Sequence, residues 1–406
     1  MFKSLKVFLF SSSVELPLMQ NIIKPLYFVI SLFGLFPYSV QFSKSKSFLK
    51  IKNKSVYVNS LCGISIILTM IAFTILHVQY IFFSTEYIGM TEDFVPQMNY
   101  VIEIVALVIF CITAYICAFI NREVYIKIIN SLGTTWVEMP PGRNCETILR
   151  RLQFQSSIIV MTVLLLLLLL QICVNFSRNN SVWKIILVAT TFNLPQMIQF
   201  VSIAFYYVLI MMVVAILANI NDIFLELDSN RNIKTDGFIK VKPKTTLSLR
   251  QLELAYIKAF EIKTYINRAF QAPILASSIQ CFHSLICEAH IIYHGLVIDG
   301  TLTTHDFVNC SIWILYQVLK VYVIALSGTR LKEEALKIGQ RLHNLSIEKQ
   351  DLRSFLEIQH FSSLMTYQRF ELTAYEYFQL DGTLLYNMLT SAAMYLIILV
   401  QFDNRP

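Results

Sequence analysis

Residues 370–402 of the chain read FELTAYEYFQLDGTLLYNMLTSAAMYLIILVQF. The uncharged part, residues 382–402, has the length of about 20 residues that a helix needs to cross the core of a bilayer. Six residues recur there in alternating steps of four and three: Thr383, Asn387, Thr390, Met394, Ile397 and Gln401. This spacing predicts one stripe along a helix. Because lipid accommodates polar groups poorly, we expect the stripe to face water or, as the alternative, other helices of a bundle.

The same stretch resembles the final helix of insect gustatory receptors. That family ends in Thr-Tyr, five apolar residues and Gln-Phe, and this chain has Tyr395, LIILV and then Gln401-Phe402. Met394 stands where the family has threonine. The preceding residues are similar to the family pattern of Phe, Thr-Ala, an aromatic residue, Leu-Asp and Thr-Leu-Leu. The resemblance implies an insect chemoreceptor ion channel.

The composition of the whole chain indicates a membrane protein. Of its 406 residues, 56% are apolar and 15% are charged, and the mean hydropathy is +0.59. Soluble domains carry about 25% charged residues, so these values exclude an ordinary soluble enzyme. The sequence also lacks a glycine-rich phosphate loop, a nucleophile elbow and carboxylate pairs at hydrolase spacing. We therefore expect neither an enzyme nor a cofactor.

Seven apolar runs predict membrane-spanning helices. They cover residues 57–83, 99–121, 153–175, 194–220, 272–297, 307–328 and 383–402. A further stretch, residues 25–40, is short and holds two prolines and a glycine, so we expect an interfacial or re-entrant segment there. The predicted fold is an all-α membrane protein with seven transmembrane helices.

The basic residues indicate the orientation of these helices in the membrane. Four connections hold 29 of the 33 lysines and arginines in the chain. There are eight in 1–55, five in 122–152, nine in 221–271 and seven in 329–382. Only two lie in the alternating connections 84–98, 176–193 and 298–306. Because basic residues near spans are retained in the cytoplasm, we expect a cytoplasmic amino terminus and an extracellular carboxyl terminus. The net charge of +7 thus reflects membrane orientation and not nucleic-acid binding.

These assignments divide the chain into four parts. They are a cytoplasmic amino-terminal segment with the interfacial helix (1–55), a six-helix ligand-binding bundle (56–328), cytoplasmic anchor helices (329–380) and a pore helix with a short extracellular tail (381–406). In the third part, apolar residues recur at helical spacing from Leu331 to Leu345 and from Leu352 to Ile358. A pair of amphipathic helices explains this pattern, and the family resemblance implies that subunits meet there.

The last span carries the predicted pore residues. One helix per chain cannot enclose a pore, so a channel needs several copies, and the resemblance implies four, with the outer gate at Gln401 and Phe402. Asp381, just before the helix, would form an acidic ring that favours cations or would cap the helix amino terminus. Tyr395 would line the pore or lock the helix against a neighbour. The predicted pore and gate residues are Asp381, Asn387, Thr390, Met394, Tyr395, Ile397, Gln401 and Phe402.

Polar and aromatic residues in the outer halves of the spans predict a site for a small organic ligand. They are Glu103, Gln171, Gln196, Gln199, Glu288, His290, His294, Trp313 and Gln317. Interhelical hydrogen bonds are the alternative explanation for each of them. His290 and His294 have the spacing of metal ligands, but no third ligand is evident, so we expect no metal.

These observations predict a taste receptor in the plasma membrane of insect sensory neurons. It would be a homotetrameric, ligand-gated, non-selective cation channel, or a heteromer with other gustatory receptors. A small extracellular tastant would open it to monovalent and divalent cations, with a bitter plant compound favoured over a sugar. The alternatives are an odorant receptor of the same superfamily, a metabotropic seven-helix receptor and a secondary transporter. A metabotropic receptor would have the opposite orientation, and a transporter would show inverted repeats.

Overall fold

The computed structural model describes residues 15–36, 38, 40–42, 49–51, 56–83, 94–139, 142–158, 182–232, 249–298, 300, 302–344 and 352–403. Most of these residues are helical. The α-helices are α1 (Glu15–Leu32), α2 (Val56–Phe83), α3 (Phe94–Ile120), α4 (Arg122–Glu138), α5 (Cys145–Ser157), α6 (Val182–Val188), α7 (Leu194–Asn232), α8 (Leu249–Tyr293), α9 (Thr304–Asn344), α10 (Leu352–Tyr367) and α11 (Gly382–Asp403).

Shorter elements join these helices. A wider π-helical turn, Ala189–Asn193, connects α6 to α7, and a second one, His294–Ile298, extends α8. Two antiparallel hairpins pair β1 (Val40–Phe42) with β2 (Leu49–Ile51) and β3 (Thr373–Ala374) with β4 (Phe378–Gln379).

Five helical stretches in the described part of the chain are long and apolar enough to cross a membrane: Ser60–Phe82, Gln97–Ile120, Val182–Leu227, Thr304–Asn344 and Gly382–Gln401. Each contains most or all of one predicted span. The predicted span 272–297 lies on the less polar, carboxyl-terminal half of α8 and its π-helical turn, and it is not among these five stretches. Most of the predicted span 153–175 lies outside the described residues. Several helices suited to crossing a membrane are therefore present, and the number seven stays a prediction.

Helix α7 forms the centre of the bundle. Almost every side chain from Phe200 to Phe224 is buried, and apolar residues occupy all sides of the helix. A helix that is apolar all round must be covered by other elements, and α3, α5, α8 and α9 pack around it. The core of the protein therefore follows the axis of α7.

Helix α1 begins about ten residues before the predicted interfacial segment 25–40. The reason is a helical apolar pattern that extends across Pro25: Met19, Ile22, Ile23, Leu26 and Ile30 are all buried. This face packs against α5 and α7. The amino-terminal segment is therefore partly integrated into the bundle.

Helix α8 continues for 45 residues through Pro273. Proline has no N–H group, so the carbonyl oxygen of Ala269, one helical turn earlier, lacks its usual donor. The side-chain Nδ2 of Asn121, between α3 and α4, donates a hydrogen bond to this oxygen at 3.4 Å. A side chain from a neighbouring element thus compensates for the proline.

Helix α9 is one continuous helix of 41 residues. The sequence predicts a separate amphipathic helix from Leu331, but the buried residues Leu331, Ile338 and Leu342 belong to the same helix as the preceding span. The two patterns join because no proline interrupts them, and Gly328 at their junction continues the helix and does not end it. Helix α10 corresponds to the second predicted amphipathic helix.

The β3–β4 hairpin carries the chain from α10 to α11. Tyr375 and Glu376 form its turn with φ angles of 49° and 63°, a left-handed conformation that favours glycine. The backbone N–H of Tyr377 closes the turn on the carbonyl oxygen of Ala374 at 3.0 Å. Another backbone bond of 2.8 Å, from Leu380 to Leu372, fixes where α11 begins.

Candidate functional site

Four helices of the bundle meet at a buried polar network. In its first branch, Ser284 Oγ on α8 donates to Glu103 Oε1 on α3 at 2.7 Å. Gln317 Nε2 on α9 donates to the same Ser284 Oγ at 3.0 Å. All three residues are buried. Two predicted ligand-site residues from distant parts of the sequence therefore meet through a serine that the sequence did not single out.

The second branch is centred on Lys320 of α9, which is fully buried. Its Nζ donates to Oε1 of Gln196 and to Oε1 of Gln199 on α7, each at 2.6 Å. Gln199 Nε2 in turn donates to Ser277 Oγ at 2.8 Å and to Gln280 Oε1 at 3.0 Å on α8. The network as a whole comprises Glu103, Gln196, Gln199, Ser277, Gln280, Ser284, Gln317 and Lys320.

Lys320 is the residue that the sequence analysis missed. It is the one lysine or arginine within the seven predicted spans, and an ionisable residue inside a membrane segment is a functional-site signal on its own. Two neutral amide oxygens and the ring of Tyr316, 4.7 Å from Nζ, surround the ammonium group. Dipoles therefore stabilise the buried charge at its immediate contacts.

An aromatic cluster adjoins this network. Trp313 packs edge-on against Tyr316, with ring centroids 6.0 Å apart, and lies 6.4 Å from Phe192. Phe192 belongs to the π-helical turn before α7 and lies 4.8 Å from the ring of Tyr100. Tyr316 OH donates to the backbone oxygen of Gln196 at 3.1 Å, which joins the cluster to the network. Rings and polar groups therefore border one region of the bundle, as in sites for small organic molecules.

The remaining predicted ligand residues lie farther along α8 or outside the described chain. Glu288 and His290 are buried on α8, and His290 lies 6.0 Å from His294, between ring centroids. No group of three His, Cys, Asp or Glu side chains suited to a metal occurs among the residues that are described. Gln171 lies outside the described residues. The structure thus brings Glu103, Gln196, Gln199 and Gln317 together, with Trp313 beside them.

Helix α11 packs on α8 and α9 along one side only. Leu384 and Met388 are buried on that side. All six residues of the predicted stripe are exposed on the single chain, including Met394 at 62% and Ile397 at 58%. Tyr395 packs edge-on against Phe282 of α8 with ring centroids 5.7 Å apart. The side chain of Phe402 lies outside the described residues.

The amino terminus of α11 is capped. Asp381 Oδ1 accepts hydrogen bonds from the backbone N–H of Thr383 at 3.0 Å and from its hydroxyl at 2.6 Å. This is the N-cap geometry. Lys332 Nζ of α9 lies 3.6 Å from Asp381 Oδ2. Partial burial raises the pKa of Asp381, but the bonds from Thr383 and the charge of Lys332 outweigh it and hold the pKa below its usual value.

Helix α9 touches the start of α11 through its backbone. A Cβ atom on Gly328 would lie 1.7 Å from the carbonyl oxygen of Leu380, so only glycine fits. Thr329 Oγ1 accepts a hydrogen bond from the backbone N–H of Gly382 at 3.0 Å. Lys320 and Gly328 are eight residues apart, about 12 Å along the helix. One helix therefore connects the polar network to the base of the predicted pore helix.

The hairpin that leads into α11 is fixed on α8 by a buried lysine. Lys263 Nζ donates to the backbone oxygen of Glu371 at 3.1 Å and lies 4.5 Å from the centre of the Phe260 ring. Burial lowers the pKa of Lys263 to about 8, although the charge of Glu371 opposes the shift. Asn267 Oδ1 also accepts the backbone N–H of Thr373 at 3.2 Å.

A cleft of about 530 Å³ lies between the first turns of α8 and helix α10. Its lining is Arg250, Glu253, Leu356, Glu357, Gln359, His360 and Ser363. Oε1 of the buried Glu253 lies 2.9 Å from His360 Nδ1. This cleft lies about 40 Å from Gln280 along the axis of α8, so it is separate from the candidate ligand site.

Comparisons with known proteins identify the family. The sequence profile described as 7tm Chemosensory receptor matches residues 23–404, and the chain belongs to this family. The resemblance to insect chemoreceptors is therefore confirmed. Membership makes the chain a multi-pass membrane protein of a ligand-gated channel class and not an enzyme. A search of curated proteins gives no match.

Solved structures support the fold. The insect olfactory receptor OR5 from Machilis hrabei in complex with eugenol has a TM-score of 0.72 at 13% identity, and the match covers 95% of this chain and 98% of that one. The structure of OR5 described without a ligand has a TM-score of 0.70 at 14% identity, with 94% and 98% covered. At this identity the likeness shows a common fold.

Proposed function

We propose that the protein is a taste receptor that acts as a ligand-gated, non-selective cation channel in the plasma membrane of insect sensory neurons. The exposed stripe on α11 is the observation that carries this proposal. Its residues alternate in steps of four and three, and the helix presents them away from its own bundle. Family membership supports a ligand-gated channel, and the Gln401-Phe402 ending supports taste over odour.

The pore requires several copies of the chain because each contributes one such helix. Four copies around one axis would place their stripes toward a common conduit, as a homotetramer or as a heteromer with other gustatory receptors. Four copies of Asp381 would then form an acidic ring that favours monovalent and divalent cations. Gln401 and Phe402 differ by about 100° around the helix. A modest rotation of α11 would therefore replace the ring of Phe402 by the amide of Gln401 at an outer gate.

The ligand is a small tastant that binds between the aromatic cluster and the polar network. The rings of Trp313, Tyr316 and Phe192 favour a bitter plant compound over a sugar. The eugenol complex of OR5 offers a parallel, because eugenol is a small aromatic molecule. Binding opens the pore only to the extent that the ligand prefers the open arrangement. Helix α9, which contacts both regions, transmits that preference.

Currents from the expressed full-length chain test the proposal. A tastant panel should evoke inward cation currents without a G protein, and Phe402→Ala should alter their gating. In Asn387→Cys, a charged thiol reagent should block the current because Asn387 belongs to the exposed stripe. Leu384→Cys is the matched control, since Leu384 is buried against the bundle. The wild type, which has eight cysteines, sets the background.

Other outcomes would point to the alternatives. Currents that require a G protein, or an extracellular amino terminus in surface labelling, would indicate a metabotropic receptor. Stoichiometric flux without unitary currents would indicate a transporter. Activation by volatile compounds alone would indicate an odorant receptor. Equal block of Asn387→Cys and Leu384→Cys would remove the pore assignment of α11.

A further inference from the structure

The hydrogen bonds around Lys320 have a defined direction. An ammonium group can only donate, so Gln196 and Gln199 must both turn their carbonyl oxygens toward it. Their amide N–H groups therefore point away from the lysine. Two chains of hydrogen bonds therefore start at Lys320, one through Gln196 and one through Gln199. In the second chain, Gln199 Nε2 donates to Gln280 Oε1, so the N–H groups of Gln280 point away from Gln199.

Both chains of hydrogen bonds that start at Lys320 end in an amide donor without an acceptor among the described residues. Gln196 Nε2 and Gln280 Nε2 have no hydrogen-bond partner in the described structure, although the two side chains are only 3% and 1% exposed. An unpaired buried N–H group is costly, and native structures rarely leave one without a reason. The adjacent ammonium also polarises both chains, which strengthens their terminal donors.

The neighbourhood of the Gln196 donor suits an aromatic molecule. Tyr316, whose ring lies beneath the ammonium, bonds to the backbone of Gln196 and packs against Trp313. In the branch formed by Glu103, Ser284 and Gln317, Gln317 Oε1 is likewise without a partner among the described residues and offers an acceptor. Amide donors of this kind favour a ligand whose oxygen accepts hydrogen bonds. The acceptor on Gln317 would suit an additional hydroxyl group on the same ligand.

We infer that the amide groups of Gln196 and Gln280 select the ligand by binding a carbonyl oxygen of an aryl ketone, ester or lactone. This inference rests on the proposed function and adds the chemical class of the ligand. Lys320 acts as a positioning residue: it orients the two glutamines and does not itself contact the ligand.

A matched pair of probes tests the inference in the full-length receptor. Acetophenone and α-methylstyrene have nearly the same shape, but the first has a carbonyl oxygen where the second has a methylene group. In the wild type, acetophenone should open the channel at a concentration roughly 10- to 100-fold lower. Gln196→Leu or Gln280→Leu should reduce that ratio toward one and leave the potency of α-methylstyrene within about threefold.

Two controls separate selectivity from folding. Surface labelling reports whether each variant reaches the plasma membrane. Leu315→Met changes an exposed position of α9, five residues before Lys320, and should retain the wild-type ratio. Lys320→Met should also reduce the ratio, because the glutamines would lose the charge that orients them.

Several results would overturn the inference. They are equal potency of the two probes, a preference for acetophenone that survives both glutamine substitutions, and the absence of any response to acetophenone. If other aromatic tastants still evoke currents, the proposed channel function stands without this ligand class. If no compound does, and the reagent test at Asn387→Cys is also negative, the proposed function fails as well.

Discussion

The backbone of Gly328 lies against the carbonyl oxygen of Leu380, with space for a hydrogen atom but not for a methyl group. This contact joins α9 to the residue just before the capped start of α11. It is a backbone-to-backbone contact, so neither partner can move aside by changing a side-chain rotamer.

Gly328→Ala should therefore destabilise the protein by about 1–3 kcal/mol, because the added methyl group forces two backbones apart. Gly339→Ala on the same helix is the matched control, since its Cβ would lie 3.4 Å from Met365 Cε, an ordinary contact. That control should be neutral or stabilising by up to about 1 kcal/mol from helix propensity. Thermal unfolding of the purified receptor in detergent measures both. Equal stability of the two variants would contradict the close approach.

The bond between Asn121 and Ala269 should be coupled to Pro273. Asn121→Ala leaves a carbonyl oxygen without its donor and should cost about 1 kcal/mol. In a Pro273→Ala background the helix can supply its own N–H, so the same substitution should cost less. A double-mutant cycle on thermal unfolding gives the coupling energy. Strictly additive effects would show that Asn121 does not compensate for the proline.

Asp381 can be separated into a cap and a charge. Asp381→Ala should destabilise by about 1 kcal/mol, whereas Asp381→Asn, which can still cap, should cost less. Because the pKa of Asp381 is lowered in the folded protein, its contribution is present above the ordinary aspartate pKa and is lost as pH falls through the lowered value. Unfolding of wild type and Asp381→Asn across acidic pH should therefore converge. Parallel curves would contradict the lowered pKa of Asp381.

Asp381→Asn also tests the proposed acidic ring. With the cap retained and the charge removed, single-channel conductance for cations should fall while surface expression stays normal. Thr329→Val, which removes the bond to the backbone N–H of Gly382 at the same helix start without changing the charge of Asp381, is the control and should leave conductance unchanged. Unchanged conductance in Asp381→Asn would confine this residue to the cap.

Lys263 should make stability depend on alkaline pH. Its pKa is about 8 in the folded protein and near 10.5 in the unfolded chain, so between these values the unfolded chain binds more protons. The free energy of unfolding should therefore rise with pH over this range, by on the order of 3 kcal/mol. Lys263→Met should lack this pH-dependent contribution. The difference in the free energy of unfolding between wild type and Lys263→Met should therefore change with pH. A constant difference would mean that Lys263 is not desolvated.

The sequence predicts the spans well because a lipid-exposed or core helix needs a long apolar run. The run at 57–83 corresponds to α2 within one residue, and the run at 383–402 to α11. The joining of the sixth span to the helix at Leu331 is harder to predict. Charges at Arg330 and Lys332 mark the membrane boundary in composition, but they do not interrupt the backbone.

The candidate site is only partly predictable for a different reason. Polar residues inside apolar spans, such as Glu103, Gln196 and Gln317, are easily recognised in the sequence. Which of them meet depends on how four helices are rotated and shifted against one another. Ser277 and Ser284 gave no sequence signal, because serines are common in membrane helices. Lys320 did give one, as an isolated cation between apolar residues.

Helix α9 has one further consequence. At about 60 Å it is twice the thickness of the bilayer core, and it continues without a break from the polar network at Lys320 past Gly328 to Asn344. In the proposed channel, α9 would move as a rigid body and would transmit a displacement at the ligand site to the start of α11. Gating of this kind would not require loops to refold.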